Sequence, residues 1–193
     1  MNIKRSGSVV LLTCMVFLTG CSAFAEKEST TDISEYETYY GSEAEHRTSN
    51  QMVDVSIFPE EISESADVET FDYNYYNPWD PNYTTLLVLT YDDAEYETEL
   101  QRLSEVESTS EADWTYGVTG FPYELCAITT NEYGIVYAMT DADENRFIYV
   151  EISFCNFFSD MDYEEIIGEE YLPEGFDATE GNPVRAQFEE SES

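Results

Sequence analysis

The chain has 193 residues, with 42 Asp and Glu against seven Lys and Arg, and its formal net charge at pH 7 is -35. This charge excludes a nucleic-acid-binding footprint, which needs a basic face, and it argues against adhesion to anionic lipid headgroups. Aromatic residues make up 15% of the chain, above what a disordered protein carries, so we expect one domain with a tyrosine-rich core. The acidity fits either a cationic or Ca²⁺ partner or the solubility of an exported protein, and we favour the second explanation.

The N-terminus has a short basic segment, Lys4-Arg5, followed by an apolar run from Val9 to Leu18. Such a run is too short to span ~30 Å of hydrocarbon as a lasting helix, and with small residues after it the pattern is typical of a secretory signal peptide. The run ends in Leu18-Thr19-Gly20-Cys21, which resembles the lipobox of bacterial lipoproteins: a leucine, two small residues and a cysteine.

That resemblance implies a signal peptide over residues 1–20 and a diacylglycerol on the sulfur of Cys21, the first residue of the mature chain. Two acyl chains give stable anchoring. The resemblance therefore also implies an exported protein that Cys21 holds on the outer face of the bacterial cell membrane. The alternative is cleavage after Ala25 and release, because Ala23-Phe24-Ala25 also fits a small-x-small cleavage site.

The composition of the mature chain divides it into three parts. Residues 21–50 are polar and acidic without an aliphatic period, which predicts a flexible tether. Residues 51–176 hold the apolar periodicity and predict a single α+β domain. Residues 177–193 are again acidic and aperiodic, and we expect them to be disordered.

Three strands are predicted in the first half of the domain. The alternation at 53–58 predicts a short strand, or an extended lead-in to the next strand, that ends at Pro59. The runs 68–76 and 83–91 predict a hairpin, because the loop 77–82 between them is rich in Pro and Asn.

The spacing of apolar residues changes from strand-like to helical at Asp92. Asp92 lies three residues before Glu95, a position that suits a helix N-cap. The following stripe at helical spacing predicts an amphipathic helix of about four turns that packs one face on the sheet; its members are Tyr96, Leu100, Leu103 and Val106.

Strands at 123–130, 133–140 and 146–155 have short connections and predict an antiparallel meander. In the last strand we expect Ile148, Val150 and Ile152, with Phe154, to face the helix and Tyr149, Glu151 and Ser153 to face solvent. Ser159-Asp160-Met161-Asp162 predicts the start of a second, short helix, which ends at Gly168. The fold class is therefore α+β, an antiparallel sheet of about five to six strands packed against one amphipathic helix, with a short C-terminal helix.

Catalysis by imidazole is nearly excluded, because the only histidine, His46, falls in the predicted tether. Histidine-ligated zinc is excluded for the same reason, and we predict no cofactor. Paired carboxylates can support glycoside hydrolysis, but in so acidic a chain some pair is close by chance. We therefore expect a protein that is not an enzyme.

The two cysteines of the predicted domain are Cys126 and Cys155, and both are placed on the outer strands of the predicted meander. Their lateral separation of about 9.5 Å exceeds the Cα distance of about 7 Å that a disulfide tolerates, so we predict two buried free thiols.

The turn Asp141-Ala142-Asp143-Glu144-Asn145 begins like an EF-hand loop, which makes Asp141, Asp143 and Asn145 a weak Ca²⁺ candidate. The remaining loop positions do not fit, because Arg146 stands where the loop needs Gly and Ile152 where it needs Glu. A hairpin turn built from Asp and Asn is the better explanation.

Aromatic residues around the 77–82 loop are the best candidate for a binding surface; they are Tyr73, Tyr75, Tyr76, Trp79 and Tyr83. Such rings stack on sugars or form protein interfaces, which makes a glycan or a protein of the envelope the candidate partner. The alternative is a tyrosine-rich strand pair that packs on itself.

Three functions remain open. The first is a monomeric binding or interaction module displayed at the membrane. The second is an accessory lipoprotein of an envelope complex without a ligand of its own. The third and most distant is a glycan-acting enzyme that uses carboxylates.

Overall fold

The computed structural model describes residues 25–40, 44, 53–110 and 115–191. The predicted signal peptide, Cys21 and His46 lie outside these described residues. Within them, no helix is both long enough and apolar enough to cross a membrane.

The described residues form seven strands and four short α-helices. The strands are β1 (Glu26–Thr30), β2 (Asp67–Asn77), β3 (Asn82–Thr90), β4 (Thr109–Ser110), β5 (Glu124–Asn131), β6 (Gly134–Asp141) and β7 (Arg146–Ser153). The helices are α1 (Tyr36–Tyr39), which follows a 3-10 turn at Ile33–Glu35, α2 (Asp93–Glu105), α3 (Tyr163–Ile167) and α4 (Pro183–Ser191).

All seven strands belong to one sheet with the order β1-β2-β3-β7-β6-β5-β4. The strands from β1 to β5 in this order pair antiparallel, and only the two-residue β4 is parallel to its neighbour β5. The predicted hairpin and meander are confirmed, and the α+β class is confirmed at this level.

The predicted strand at 53–58 is wrong, because these residues form turns. The Asp54 carboxylate accepts hydrogen bonds from the amide and the hydroxyl of Ser56, and the Phe58 amide bonds to the carbonyl of Val55. An aspartate that bonds to backbone two residues on favours a turn over a ladder.

Both faces of the sheet are covered, and β7 shows this most clearly because it lies at the centre of the strand order. Phe147 and Tyr149 belong to one hydrophobic cluster, here called the α2 face, which also holds the apolar residues of α2. Ile148, Val150 and Ile152 belong to a second cluster, here called the α3 face, together with residues of α3.

The predicted orientation of β7 is therefore reversed. Ile148, Val150, Ile152 and Phe154 face α3 rather than α2. Tyr149, Glu151 and Ser153 are 0% exposed, not solvent-facing. The alternation itself was right, but a central strand buried on both sides has no solvent face.

The prediction of a flexible tether is wrong for residues 26–40. β1 pairs with β2 along its whole length, and Tyr36, Tyr39 and Tyr40 are buried on the α2 face. The Tyr39 ring stacks on Tyr73 with centroids 3.8 Å apart, and the Tyr36 hydroxyl donates a hydrogen bond of 2.6 Å to the carbonyl of Pro59. A segment whose one large aliphatic residue is Ile33 thus gains most of its burial from tyrosine rings.

The prediction of a disordered tail is also wrong for residues 177–191. Ala178 and Val184 are buried on the α3 face, and the Asn182 amide donates a hydrogen bond of 2.6 Å to the carbonyl of Phe157. α4 follows from Pro183, a residue suited to the first turn of a helix.

The predicted helix boundaries are confirmed within one or two residues. The Asp92 carboxylate accepts from the amides of Ala94 and Glu95 at 2.9 and 3.0 Å, which caps α2. Asp162 caps α3, and Gly168 ends it with a φ of +83° that favours glycine.

Candidate functional site

The five aromatic residues predicted as a binding surface do not form one. Tyr73 and Tyr83 are only 2% and 6% exposed and belong to the core of the α2 face. Tyr75 and Tyr76 are half-buried on opposite faces of β2, since neighbouring residues of a strand point in opposite directions. Trp79 alone is well exposed, at 83%.

Trp79 lies on a braced loop between β2 and β3. The amide of Asn82 donates to the carbonyl of Asp80 at 3.0 Å, while its side-chain oxygen accepts from the backbone amide of Asp160 at 2.9 Å. The Asp80 carboxylate in turn accepts from the side-chain amide of Asn156. These bonds hold the loop against the segment after β7. The loop that carries the exposed Trp79 side chain is therefore held in place by the hydrogen bonds of Asp80 and Asn82.

A first cleft of about 360 Å³ separates the outer strands β1 and β2 from the start of α3. Its base includes Tyr76, with the Lys27 ammonium 4.5 Å from the centre of its ring, and Asn74, whose amide donates to Asp72 at 2.7 Å.

A second and larger cleft, of about 550 Å³, lies on the α2 face; we call it the Glu99 cleft. It is lined by α1, the turns at 55–63, the end of β3 and α2. Its lining residues are Tyr40, Val55, Ser56, Phe58, Pro59, Glu60, Glu61, Ser63, Tyr91, Glu99 and Arg102.

The Glu99 carboxylate is only 7% exposed and is fixed from two sides. Arg102 binds it through both carboxylate oxygens, with Nε–Oε2 at 2.8 Å and Nη2–Oε1 at 2.6 Å. The Tyr149 hydroxyl donates to Oε1 at 2.5 Å from the floor of the sheet. Bidentate bonds of this kind between a guanidinium and a carboxylate are strong ones, so the Glu99 side chain is held in one position.

The Arg102 guanidinium also donates to the carbonyls of Ser56 and Ile57, at 3.1 and 2.7 Å. Burial opposes its charge, but the hydrogen bond and the charge of Glu99 outweigh burial and raise the pKa of Arg102. The guanidinium therefore joins the turns at 55–63 to α2, and four of its five N–H donors bond to protein acceptors.

Tyr91 contributes a hydroxyl without a protein partner to the lining of this cleft. The residue is 8% exposed, and its hydroxyl makes no hydrogen bond to any part of the chain that the structure describes. Burial, and then the negative charge of Glu99, raise the pKa of Tyr91. The phenol therefore stays protonated near neutral pH and is available to a ligand.

Sequence reasoning missed this cleft because Glu99 and Arg102 lie outside the apolar stripe of Tyr96, Leu100, Leu103 and Val106 that predicts the packed side of α2. The signal that was present is their spacing, since a carboxylate and a guanidinium three positions apart on a helix are neighbours. The contributions of Tyr40 and Tyr91 required the tertiary structure.

The predicted turn at 141–145 is confirmed, and two of the three candidate calcium ligands have partners within the protein, whereas Asp143 is exposed. The Asp141 carboxylate pairs with Arg146 at 2.8 Å, and the Asn145 amide donates to Asp93 at 2.8 Å. Among the described residues, no group of three His, Cys, Asp or Glu is placed to hold a metal ion.

Cys126 and Cys155 are free thiols, as predicted, although both are half-buried rather than fully buried. Burial, followed by the charges of Glu124 and Glu99, raises the pKa of Cys126 to about 11. Burial and Asp80 also raise the pKa of Cys155. Neither thiol is activated as a nucleophile, which would require a lowered pKa.

Comparison with known proteins finds no matching family model, no matching curated protein and no matching solved structure.

Proposed function

We propose that this chain is a lipid-anchored, extracytoplasmic binding module without catalytic activity, and that it takes an organic cation in the Glu99 cleft. The observation that carries the proposal is Tyr91, a residue 8% exposed whose hydroxyl has no hydrogen-bond partner among the described residues, in a cleft beside the buried Glu99 side chain. Clefts with a few convergent polar groups are where small ligands bind.

The charges of the cleft favour a cation. Glu60 and Glu61 are exposed at its rim and Glu99 lies inside, whereas the single basic lining residue is Arg102. Since the Arg102 guanidinium is paired with Glu99 and two carbonyls, the rim carboxylates have no cation of their own in the cleft. An ammonium group placed there would gain their attraction in a partly desolvated setting.

The aromatic lining favours the same class of ligand. Tyr40, Phe58 and Tyr91 contribute rings to the cleft, and aromatic faces attract organic cations through their quadrupole. The Tyr91 hydroxyl adds a hydrogen-bond acceptor for an N–H donor. A primary or quaternary amine of small size therefore suits the cleft better than a sugar or an anion.

We further propose that α2 is the helix that packs on the sheet and fixes the cleft. The Tyr96 hydroxyl lies 3.0 Å from the Thr140 hydroxyl, and its ring centre is 5.0 Å from that of Phe147. These contacts support a rigid α2, which is what a preformed cleft requires.

Calorimetric titration of the mature chain with propylammonium and tetramethylammonium, at constant ionic strength, tests the ligand class. The Glu60→Gln/Glu61→Gln double variant should bind at least several-fold more weakly, and Tyr91→Phe should weaken propylammonium more than tetramethylammonium, since only the former donates a hydrogen bond. The matched control is Glu97→Gln/Glu105→Gln, which removes two carboxylates outside the cleft. Equal weakening in the control would show general charge attraction and would refute the cleft.

The anchor is tested separately by the mass of the N-terminal peptide of the mature protein. Acylated Cys21 at the N-terminus supports the proposal, and Cys21→Ser should release the protein from the membrane fraction. A mature chain that begins at Glu26 without an acyl group would refute the anchoring.

A further inference from the structure

One end of the sheet gathers three loops, which we call the hairpin pole: residues 77–82, 132–133 and 154–160. The register of the strands brings them together. Asn77 at the end of β2 lies opposite Glu26 at the start of β1, and Ser153 at the end of β7 lies opposite both Tyr83 of β3 and Gly134 of β6.

The hairpin pole brings an exposed tryptophan and three half-buried aromatic side chains together at the surface. Trp79 is the exposed large hydrophobic residue of the described chain, and it is joined there by half-buried Tyr133, Phe157 and Phe158. Arg185 lies over the Phe158 ring, 4.8 Å from its centre. Tryptophan and tyrosine are the residues enriched where proteins meet the membrane–water interface.

The opposite end of the sheet is acidic. The starts of β2 and α2 and the turn between β6 and β7 contribute carboxylates there, namely Asp67, Asp92, Asp93, Asp141, Asp143 and Glu144. The three loops of the hairpin pole carry fewer carboxylates, those of Asp80, Glu132 and Asp160, and the first of these accepts a hydrogen bond from the Asn156 amide. The cost of approaching a bilayer is therefore lower at the hairpin pole.

The start of β1 sets how far the domain can stand from its anchor. β1 begins at Glu26, only five residues after Cys21, and five extended residues reach at most ~18 Å. β2 has 11 residues, so the two ends of the sheet are roughly 33 Å apart at ~3.3 Å per residue. An acyl group on Cys21 therefore cannot hold the acidic end at the membrane while the hairpin pole points away.

We infer that the hairpin pole lies against the membrane and that the Trp79 indole enters the interface between headgroups and acyl chains. This inference rests on the anchoring part of the proposed function. The occupant of the exposed aromatic surface is a lipid bilayer, because the chain leading to the predicted anchor ends beside it. β3 begins at the hairpin pole and ends at Thr90, directly before Tyr91. In this orientation the Tyr91 side of the Glu99 cleft is therefore the side further from the bilayer.

Tryptophan quenching by brominated phosphatidylcholine tests this arrangement. The mature lipidated chain carrying Trp114→Phe reports on Trp79 alone, in vesicles of phosphatidylcholine with and without the brominated lipid. The matched control, Trp79→Phe/Trp114→Phe/Ala142→Trp, moves the reporter to an exposed position in the turn between β6 and β7. We expect at least a two-fold loss of Trp79 fluorescence and none at position 142.

A second experiment attaches the chain to vesicles in another way, so that its result does not depend on the lipidation of Cys21. The same mature chain with Cys21→Ser and an N-terminal histidine tag is bound to vesicles that contain a nickel-chelating lipid. Quenching of Trp79 there supports the orientation even if natural Cys21 carries no acyl group. Unquenched Trp79 on bound protein, or equal quenching at positions 79 and 142, would overturn it.

Discussion

The hydroxyl of Tyr40 donates a hydrogen bond of 2.5 Å to Oε2 of Glu151, a residue 111 positions further along the chain. Glu151 is fully buried in the central strand β7, where its other oxygen accepts from Ser153 at 2.7 Å. The N-terminal segment is thus tied to the middle of the sheet through a buried carboxylate. Segments that carry such bonds fold with the core and are not linkers.

Tyr40→Phe should lower the free energy of unfolding by about 1–3 kcal/mol, because it keeps the ring but removes one donor from the buried Glu151 carboxylate. Urea unfolding monitored by circular dichroism measures the change. Tyr76→Phe is the control, since the half-buried Tyr76 hydroxyl makes no hydrogen bond to described residues. Equal losses in the two variants would contradict the assigned role of the bond.

Tyr73→Ala should destabilise the protein strongly, whereas Trp79→Ala should leave its stability almost unchanged. Tyr73 packs between the rings of Tyr39 and Tyr83, so its truncation should cost about 3–5 kcal/mol, as for other large buried aromatics. Trp79 is exposed, and its loss should change the unfolding free energy by roughly 0.5 kcal/mol or less. Thermal unfolding of both variants decides this, and a large loss for Trp79→Ala would show that the indole is packed.

Arg102→Gln should destabilise the protein by roughly 2 kcal/mol, because Glu99 loses its ionic partner while two carbonyls at 56–57 lose their donor. Hydrogen exchange should show faster opening of residues 55–58. The control is Arg185→Gln, since Arg185 pairs at 2.9 Å with Glu189, whose side chain is 64% exposed, and exposed pairs contribute about 0–1 kcal/mol. Comparable losses would mean that the Glu99–Arg102 pair does not join α2 to the turns.

Stability should fall in alkaline solution. Burial, with the hydrogen bond and charge of Glu28, raises the pKa of Tyr39 from 10.0 to about 12. A group whose pKa is higher when folded stabilises the fold fully below its unfolded pKa, and this contribution is lost as the pH rises from 10.0 through about 12. Urea midpoints at about pH 9 and about pH 11 should differ less for Tyr39→Phe than for the natural chain, and identical differences would contradict the role of Tyr39.

Native Cys126 should react slowly with iodoacetamide at neutral pH. With its pKa raised to about 11, the thiolate fraction is roughly two orders of magnitude below that of a free cysteine. Mass spectrometry of alkylated protein follows the rate, with the urea-unfolded chain as reference. A folded rate equal to the unfolded one would show an exposed, unperturbed thiol.

Local sequence patterns were sufficient for the sheet hairpin, the meander and the caps of α2 and α3. Each depends on residues close in the chain: Pro and Asn at 77–82, the Asp92 carboxylate beside two free amides, and Gly168 at a positive φ. Local hydrogen bonding and backbone conformation determine such features, so neighbours in sequence carry the signal.

The sequence by itself determined the acidic character, the presence of a single histidine, the order of the β2–β3 hairpin and the later meander, and the resemblance at Cys21 to a lipobox. Only the tertiary structure decided which face of β7 meets which helix, that Tyr36, Tyr39 and Tyr40 belong to the core, and that Glu99 and Tyr91 meet in one cleft. Burial on both faces of a sheet removes the polar side that alternation would otherwise mark. Tyrosine adds to the difficulty, because the same side chain suits either a solvated segment or a core in which its hydroxyl finds a partner.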